Sequence, residues 1–469
     1  MTNWLPDIGK GDGPLYVRLA DRIERDIETG ALAPGTKLPP QRNLAFDIGV
    51  TVGTVGRAYA IVRERGLVNG EVGRGTFVRN GDAADVTATP SPSYAGTRVA
   101  EAAPDRLRMD STAAPEIGQS AVIGPLAERI ARINPFEVVD YTRMKPEHWR
   151  EAGRRWLAVG DWSPQPSTIV PTLGVHAAVM AIIGAVTQPG DRIVFDRLTY
   201  SSLARAAALV GRRAVVVGND DQGTDPDDLD RICAQQHPKL AFLIPSLQNP
   251  TLSVMPEDRR VRTAEVARRH NLWIVEDAIY GVMLDEQPPA LASLAPERTF
   301  HVGGLSKAVA AGVRGGWAAC PANLAVRVQN AHKMMTGGMP FMLAELSAQL
   351  VLTGQADVMM DKVKAEVAAR EAVAREIFAG LDFVSHPRAP FLWMKLPDPW
   401  LSATFKQAAA NEGVLIDDED EYKPVRTDSI YHRIRVGFSS VRLREDVRTG
   451  FSVLRRLLDS GGAGYDSYG

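Results

Sequence analysis

The sequence has few cysteines and no long apolar run. Cys233 and Cys320 are the only cysteines among 469 residues, which excludes a disulfide framework and leaves no zinc-ligand spacing. The longest apolar stretch, around residues 177–186, is far shorter than the roughly 20 residues that a membrane-spanning helix needs. The first ten residues include Asp7 and Lys10 and no apolar segment, so we expect no signal peptide. These absences favour a cytoplasmic protein with no metal site and no membrane segment.

The usual nucleotide-binding signatures are also missing. Neither G-x-G-x-x-G nor G-x-x-x-x-G-K-[ST] occurs where a predicted strand passes into a helix, which argues against a dinucleotide or a nucleoside triphosphate. The length predicts two or three domains. A hydrophobic content of 45% and a charged content of 23% are ordinary for a globular protein, and the net charge of −2 indicates no particular partner.

The first eighty residues predict three helices followed by a hairpin. Apolar side chains recur at helical spacing between residues 14 and 29, and a second short helix is expected over 41–48. Thr51 is placed to cap a third helix. Two β-prone runs then flank residues 70–75 and predict a hairpin. This order of elements is that of a winged helix-turn-helix.

Positive charge gathers in the same region. Residues 37–79 contain seven basic and three acidic side chains, a balance of 7 − 3 = +4, whereas residues 1–36 are acidic on balance. A basic recognition helix and wing is typical of proteins that bind double-stranded DNA. On charge alone, a solvated helix face is the alternative interpretation.

The segment GALAPGTKLPPQRNLAFDIGVTVGTVGRAYAIVRERGLVNGEVGRGTFV resembles the GntR-type DNA-binding domain. It has a basic residue two positions after L-P-x, a turn broken by glycine, a T-V-x-R-A recognition helix and a G-x-G-T-F-V wing. Two departures stand out: the family commonly has Ser-Arg where this chain has Thr51-Val52, and Gly53 and Gly56 weaken the helix by about 1 kcal/mol each relative to alanine. The resemblance implies DNA contacts from Lys37, Arg42, Thr51, Thr54, Arg57 and, at the wing tip, Arg74.

Residues 80–107 are rich in Ala, Thr, Ser, Pro and Asp and are expected to form a flexible linker. Beyond the linker, strand and helix patterns alternate, as in a mostly parallel sheet covered by helices. Glycine loops at strand-to-helix crossings are where such sheets bind ligands. The predicted strands are 168–170, 192–195, 214–217, 240–245, 272–276, 299–302 and 317–320, with helices near 175–187, 201–210, 225–236 and 256–269.

The stretch GGLSKAVAAGVRGGW, residues 303–317, places Lys307 where a buried strand opens into a loop. A lysine amine forms a Schiff base with an aldehyde when burial lowers its pKa. Ser306 and Arg314 are suited to bind a phosphate monoester. The stretch resembles the cofactor lysine motif of fold-type I aminotransferases, which bind pyridoxal 5'-phosphate. Taken alone, it is equally compatible with a Ser-Lys pair in a surface loop.

Further groups along the chain complete a resemblance to the aminotransferase I/II family from about residue 110 to the last helix. Asp277 ends a strand and can pair with the protonated pyridine nitrogen. The remaining groups are Tyr280 and Asn249 for the cofactor's 3-hydroxyl, Tyr200 for ring stacking, and the helix start at Gly174, Val175 and His176 for the phosphate. Each residue alone has an ordinary structural explanation, such as a strand-end cap, a turn or a core position; their order and spacing favour the cofactor site.

Departures from the family pattern remove two phosphate donors, because Val175-His176 replaces Ser-Gln and Gly304 replaces a hydroxyl residue. Tyr141 is predicted to supply another donor from the partner subunit of a homodimer. After about residue 340 the chain resembles the small domain of this fold, where Arg435 matches the arginine that clamps a ligand carboxylate; a structural ion pair is the alternative. The acidic run 417–421 is expected to be a solvated loop, and residues 461–469 a disordered tail.

The predicted organisation is a winged helix-turn-helix at 1–79, a linker at 80–107, an aminotransferase-like domain at 108–460 and the tail. This arrangement resembles the MocR subfamily of bacterial regulators. The resemblance implies a homodimeric transcription factor that uses pyridoxal 5'-phosphate, binds operator DNA and senses an amino compound or the cofactor itself. One alternative is an active aminotransferase with a DNA-binding appendage, and another is a scaffold that has lost its cofactor.

Overall fold

The computed structural model of the protein describes residues 4–8, 14–65, 67–71, 75–78, 106–143, 146–425, 427 and 429–468. The chain divides into two compact units, Met1–Ala95 and Gly96–Gly469. The division falls in the segment that the sequence predicts as a linker, most of which lies outside the described residues. Among the residues that are described, no helix is both long enough and apolar enough to cross a membrane.

The first unit contains three helices and then a two-stranded hairpin. The hairpin is antiparallel, and its register pairs Val68 with Val78; its tip lies outside the described residues. The elements are α1 (Leu15–Glu28), α2 (Gln41–Asp47), α3 (Val52–Glu64), β1 (Val68–Glu71) and β2 (Gly75–Val78).

The apolar residues at helical spacing form the core of the first unit. Leu19 and Ile23 of α1 and Val55 and Val62 of α3 are completely buried. Thr51 caps α3, since its Oγ1 accepts a hydrogen bond of 3.2 Å from the Thr54 amide. The local pattern therefore predicts this unit correctly, because its core is built from side chains close together in sequence.

The second unit has fifteen strands and thirteen α-helices among its described residues, besides four short 3-10 helices. The strands are β3 (Leu107–Arg108), β4 (Ile169–Thr172), β5 (Arg192–Asp196), β6 (Arg213–Val217), β7 (Asn219–Asp220), β8 (Gly223–Thr224), β9 (Leu240–Leu243), β10 (Trp273–Asp277), β11 (Thr299–Gly304), β12 (Gly316–Ala319), β13 (Phe383–Val384), β14 (Phe391–Lys395), β15 (Val414–Leu415), β16 (Asp417–Asp418) and β17 (Arg433–Gly437).

The helices cover and connect these strands. They are α4 (Ser120–Ile133), α5 (Pro135–Val139), α6 (Glu147–Trp156), α7 (Gly174–Val186), α8 (Ser202–Leu209), α9 (Pro226–Gln236), α10 (Glu257–Arg269), α11 (Leu291–Leu294), α12 (Ala325–Thr336), α13 (Phe341–Leu352), α14 (Gln355–Ile377), α15 (Ser402–Asn411) and α16 (Arg444–Tyr468).

A seven-stranded sheet in the order β4-β12-β11-β10-β9-β5-β6 lies at the centre of this unit. Strand β12 runs antiparallel to both of its neighbours, and the other neighbouring pairs are parallel. All seven predicted strands are present, and all four residues of β9 are buried, as expected for a sheet covered on both faces. The predicted fold class, an α/β fold with a mostly parallel sheet, is confirmed.

The strand order brings distant segments together at one edge of the sheet. Strands β9, β10 and β11 are parallel neighbours, so the segments that follow them lead to the same edge, and α7 begins there after β4. Strand β12 passes very close to the start of α7: a Cβ atom added to Gly316 would lie 2.8 Å from the Gly174 Cα. Glycine at 316 therefore permits this approach.

A smaller antiparallel sheet, β13-β14-β17-β16, belongs to the C-terminal part. Leu107, which the sequence assigns to the linker, pairs with Val414 in a two-stranded parallel sheet, so the folded part of this unit includes residue 107. The predicted disordered tail also differs from the structure: α16 continues to Tyr468, with a non-helical break at Gly461. A glycine tolerates this break because it has no Cβ atom.

Candidate functional site

A cavity of about 820 Å³ lies at the sheet edge of the second unit. Its walls come from the ends of the central strands, the start of α7, the segment after residue 106 and strand β17. The cavity brings together all but one of the site residues predicted in this unit: Lys307, Gly174, Val175, His176, Tyr200, Asn249, Asp277, Tyr280, Ser306, Arg314 and Arg435.

Lys307 lies just after β11 and is half-buried. Its Nζ donates a hydrogen bond of 2.8 Å to Oγ1 of Thr112 and lies 5.5 Å from the centre of the Tyr280 ring. The same Thr112 hydroxyl is 2.9 Å from the Tyr280 hydroxyl. A primary amine is thus held between a hydroxyl and an aromatic face, opening onto the cavity. Sequence reasoning missed Thr112, because its segment carries no recognisable pattern.

Asp277 is the buried acid of the cavity. Its Oδ1 accepts a hydrogen bond of 3.0 Å from the Ile279 amide. Burial raises the pKa of this carboxyl to about 6, although the Ile279 amide and the positive charges of Lys307 and His301 act in the opposite direction. A carboxylate with so little solvation is stabilised by any cation that enters the cavity beside it.

The start of α7 also lines the cavity. The backbone amides there have no partner within the helix and carry the positive end of its dipole, which suits an anion. Burial, and then the positive charge of Arg314, lower the pKa of His176, so its imidazole is neutral at pH 7. The ring of His176 meets that of Tyr200 edge to face at 6.3 Å.

A steric restriction explains why position 304 is a glycine. A Cβ atom there would come within 2.7 Å of the Gly315 carbonyl oxygen. A hydroxyl side chain, which the family often has at this position, does not fit between these strands without a backbone shift. The α7 start, Ser306 and Arg314, which the sequence predicts as phosphate donors, all line the cavity.

Arg435, on β17, is 1% exposed. Its Nη2 forms an ion pair of 2.7 Å with Oδ2 of Asp417 and donates a hydrogen bond of 2.8 Å to the Asp110 carbonyl oxygen. Its Nη1 donates to Oδ1 of Asn249 at 3.0 Å. The predicted carboxylate-binding arginine thus lines the cavity, but a carboxylate of the chain already neutralises it.

The acidic run 417–421 is not a solvated loop, and that expectation was wrong. Only Asp420 is exposed; the other four acids are at most 5% exposed. Each of the four has a cationic partner, which offsets the cost of burying its charge. The pairs are Asp417–Arg435, Asp418–Lys406, Glu419–Lys423 and Glu421–Arg205.

Tyr141 lies elsewhere in this single chain. It is 87% exposed and lines a second cavity of about 790 Å³ with the start of α13. The structure therefore does not bring Tyr141 to Lys307 within one chain, and its contribution from a partner subunit stays a prediction.

The predicted DNA contacts lie on the first unit. Arg42, Thr51 and Arg57 are exposed and Thr54 is half-buried. The Arg57 guanidinium lies 5.6 Å from the Tyr16 ring. Lys37 lies 5.6 Å from the Phe77 ring of the hairpin. Arg74, at the predicted wing tip, is outside the described residues.

The positive charge of this unit is not all available to DNA. Arg65, just after α3, forms an ion pair of 2.7 Å with Asp21 and a second ion pair with Glu24, both on α1. Its charge is therefore compensated within the unit, whereas Arg42 and Arg57 present theirs on the surface.

Comparison with known families supports both units. Residues 156–443 match the family model described as aminotransferase class I and II, and residues 15–78 match bacterial regulatory proteins of the gntR family. The HTH-type transcriptional regulator YdeF of Bacillus subtilis is 29% identical over 97% of both chains. The probable rhizopine catabolism regulatory protein MocR of Rhizobium meliloti is 26% identical over 67% of both chains.

Solved structures share the fold of the second unit. LysN, an α-aminoadipate aminotransferase of Thermus thermophilus crystallised with N-(5'-phosphopyridoxyl)-L-leucine, superposes with a TM-score of 0.67. The alignment has 20% identity and covers 76% of this chain and 93% of that one.

Pyridoxal 5'-phosphate is the cofactor of such aminotransferases, and the residues of the cavity fit it. A half-buried lysine, a buried carboxyl of raised pKa and a helix start lie around one space of sufficient size. When bound, the cofactor supplies an aldehyde that condenses with primary amines and a ring that withdraws electrons.

Proposed function

This chain is a transcriptional regulator that belongs to the aminotransferase class I and II family and has the domain arrangement of the MocR subfamily, and we propose that an amino compound reacting at Lys307 sets its affinity for operator DNA. One observation carries the proposal. The cavity gathers Lys307, Asp277 and the start of α7 in the same chain as a GntR-type DNA-binding unit.

In this proposal Lys307 would hold the cofactor through its aldehyde group, and Asp277 would pair with the pyridine nitrogen. The amides of Gly174, Val175 and His176, with Ser306 and Arg314, bind the phosphate. Tyr280 and Asn249 would serve the 3-hydroxyl, and Tyr200 would serve the ring. An incoming primary amine would displace Lys307 and free its side chain. That displacement is the local change from which the response starts.

We propose that the active protein is a homodimer. Large apolar side chains are exposed on α5 and α12, two helices that border the cavity lined by Tyr141: Phe136 by 80%, Val139 by 81% and Met334 by 83%. An apolar surface of this kind is typical of a subunit interface. Pairing through it is also the condition under which Tyr141 of one subunit could contact the cofactor of the other.

The DNA-binding unit is proposed to read double-stranded operator DNA upstream of its own gene, with α3 in the major groove. Arg42, Thr51, Thr54 and Arg57 on the described surface, and Lys37 beside the hairpin, are the proposed contacts. Because its ligand is the chromosome, we place the protein in the cytoplasm.

Borohydride reduction tests the cofactor site. Reduction of protein mixed with pyridoxal 5'-phosphate should fix the cofactor to a single peptide containing Lys307, detected by mass spectrometry. Lys307→Ala protein should yield no such adduct. An adduct on another lysine in the wild-type chain would refute the site.

The alternative function is that of an active aminotransferase. LysN, whose solved structure resembles the second unit of this chain, is such an enzyme. The same residues suffice for the first half of a transamination, because a displaced Lys307 can move a proton at the substrate carbon. Steady-state turnover of amino and 2-oxo acids separates the two functions. We expect it to be slow or absent.

A further inference from the structure

The arginine that the sequence predicts as a carboxylate clamp is occupied by Asp417. We infer that Asp417 makes the site select primary amines that carry no carboxylate on the carbon next to the amino group. The inference rests on the proposed function, since it concerns the ligand that reacts at Lys307. It follows from how the donors of Arg435 are used, from burial and from the register of the small sheet.

A guanidinium has five N–H donors in a rigid fork. In Arg435 both Nη2 hydrogens are used, one by Asp417 Oδ2 at 2.7 Å and one by the Asp110 carbonyl oxygen at 2.8 Å. Nη1 donates to Asn249, and Nε is buried with no hydrogen-bond partner among the described residues. A carboxylate binds in bidentate fashion along Nε–Nη2 or Nη1–Nη2. Both edges include Nη2, so neither is free.

The pair is also hard to separate. Asp417 is 0% exposed and Arg435 1% exposed, and removing one partner from a buried ion pair leaves an uncompensated charge. The Tyr422 hydroxyl donates a further hydrogen bond to Asp417. The rings of Tyr422 and Phe391 lie 5.0 and 5.2 Å from the guanidinium. A ligand carboxylate would therefore meet a neutralised arginine and a fixed negative charge.

The register of the sheet directs Asp417 and not its neighbour to the arginine. Asp417 lies directly opposite Arg435 in the pairing of β16 with β17. Successive side chains on a strand point to opposite faces, and the Asp418 carboxylate pairs with Lys406 at 3.4 Å. Asp418 is thus a matched control: a buried acid in the same strand that makes an ion pair elsewhere.

Two probes differ only in the group at issue. L-norvaline is butylamine with a carboxylate on the carbon that bears the amino group. Each probe's nitrogen forms a C=N bond to the cofactor's aldehyde carbon as the lysine nitrogen leaves that carbon, so Lys307 is released as a free amine. Titrations of the cofactor-loaded full chain, followed by the cofactor's absorption at fixed pH, give half-saturation concentrations for both probes. Free cofactor titrated alongside corrects for the different basicities of the two amines.

The wild-type chain should respond to butylamine at lower concentration than to norvaline after this correction. Asp417→Asn should shift the ratio of the two half-saturation concentrations toward norvaline by about tenfold or more. The Arg435 guanidinium can then form a charge-assisted pair with the norvaline carboxylate. Tyr422→Phe, a milder change, should shift it in the same direction. Asp418→Asn should leave the ratio as in the wild type.

The outcomes are distinct. A wild-type preference for norvaline, or a ratio unchanged in both Asp417→Asn and Tyr422→Phe, overturns the inference and leaves the cofactor site standing. The wild-type arm needs no variant, so a failure of Asp417→Asn to fold does not prevent the decision. If borohydride fixes no cofactor to Lys307, the proposed function fails and the inference fails with it.

Discussion

Lys307 and Thr112 lie 195 positions apart in the chain, yet the lysine Nζ donates a hydrogen bond of 2.8 Å to the threonine Oγ1. Thr112 belongs to the short segment that joins the linker region to the large domain. Because the Thr112 hydroxyl also contacts the Tyr280 hydroxyl, it fixes the lysine amine and the adjacent tyrosine together. The orientation of the Lys307 amine therefore depends on the segment that follows the linker region.

Thr112→Val should slow attachment of the cofactor by about tenfold, because the lysine amine loses the hydrogen bond that holds it in place. Thr112→Ser keeps the hydroxyl and should behave like the wild type. Stopped-flow absorption after mixing cofactor-free protein with pyridoxal 5'-phosphate measures the rate. Equal rates in the valine and serine variants would show that the hydroxyl has no role.

The contribution of Asp277 to cofactor affinity should increase with pH up to about 6 and stay constant at higher pH. Burial raises the pKa of Asp277 to about 6, so below that pH the carboxyl is protonated in the cofactor-free chain. It must then release a proton before it can pair with the protonated ring nitrogen. Above this pH the Asp277 carboxyl is already ionised, so it releases no proton when the cofactor binds.

The same raised pKa predicts the dependence of stability on pH for the cofactor-free chain. The folded state binds the proton more tightly than the unfolded state. This contribution is therefore fully present below 3.8, the ordinary pKa of an aspartate, and is lost as pH rises through about 6. Asp277→Asn should abolish both dependences. Cofactor titrations and equilibrium unfolding, each at a series of pH values, check the two dependences. An affinity profile that is identical in the wild type and in Asp277→Asn would contradict the role of Asp277.

Arg57→Ala should weaken operator binding at every salt concentration and reduce the slope of log affinity against log salt by about 1, because one phosphate contact is lost. Arg65→Ala is the control. Its guanidinium already pairs with Asp21 and Glu24, so the slope should not change. Fluorescence anisotropy with the upstream duplex gives both slopes; equal effects of the two variants would argue against α3 as the DNA-contacting helix.

Gly53→Ala should stabilise α3 by about 1 kcal/mol, because alanine has the higher helix propensity. The added methyl group would meet nothing closer than 3.8 Å. Gly30→Ala is the contrasting variant. The added methyl group would meet no neighbouring atom within 4 Å, but the φ angle of +78° at residue 30 disfavours alanine. Amide hydrogen exchange of the full-length protein should show slower exchange in α3 for Gly53→Ala and faster exchange near α1 for Gly30→Ala.

The sequence predicted the parts of the molecule that depend on local patterns. All seven central strands, the helices between them and the helix-turn-helix follow from periodic apolar residues and glycine breaks. The gathering of the predicted site residues around one cavity followed from order and spacing, because the strand ends of a parallel sheet meet at one edge.

What the sequence could not predict depends on contacts between distant residues. The acids at 417, 418, 419 and 421 look solvated in a charge run, and only partners such as Arg205 and Arg435 explain their burial. Thr112 has no local pattern at all. The tail beyond residue 460 has a composition typical of disorder, yet its backbone continues α16 to Tyr468.

The central claim is that an amine acting at Lys307 changes operator affinity. Anisotropy of the upstream duplex, measured with the cofactor-loaded chain across a panel of primary amines and amino acids, tests it most directly. We predict that at least one amine changes the affinity of the wild-type protein by about fivefold or more, a usual size for coupling between sites. The same amine should have no effect on Lys307→Ala. Wild-type affinity that is indifferent to every compound, together with rapid steady-state transamination, would contradict the account.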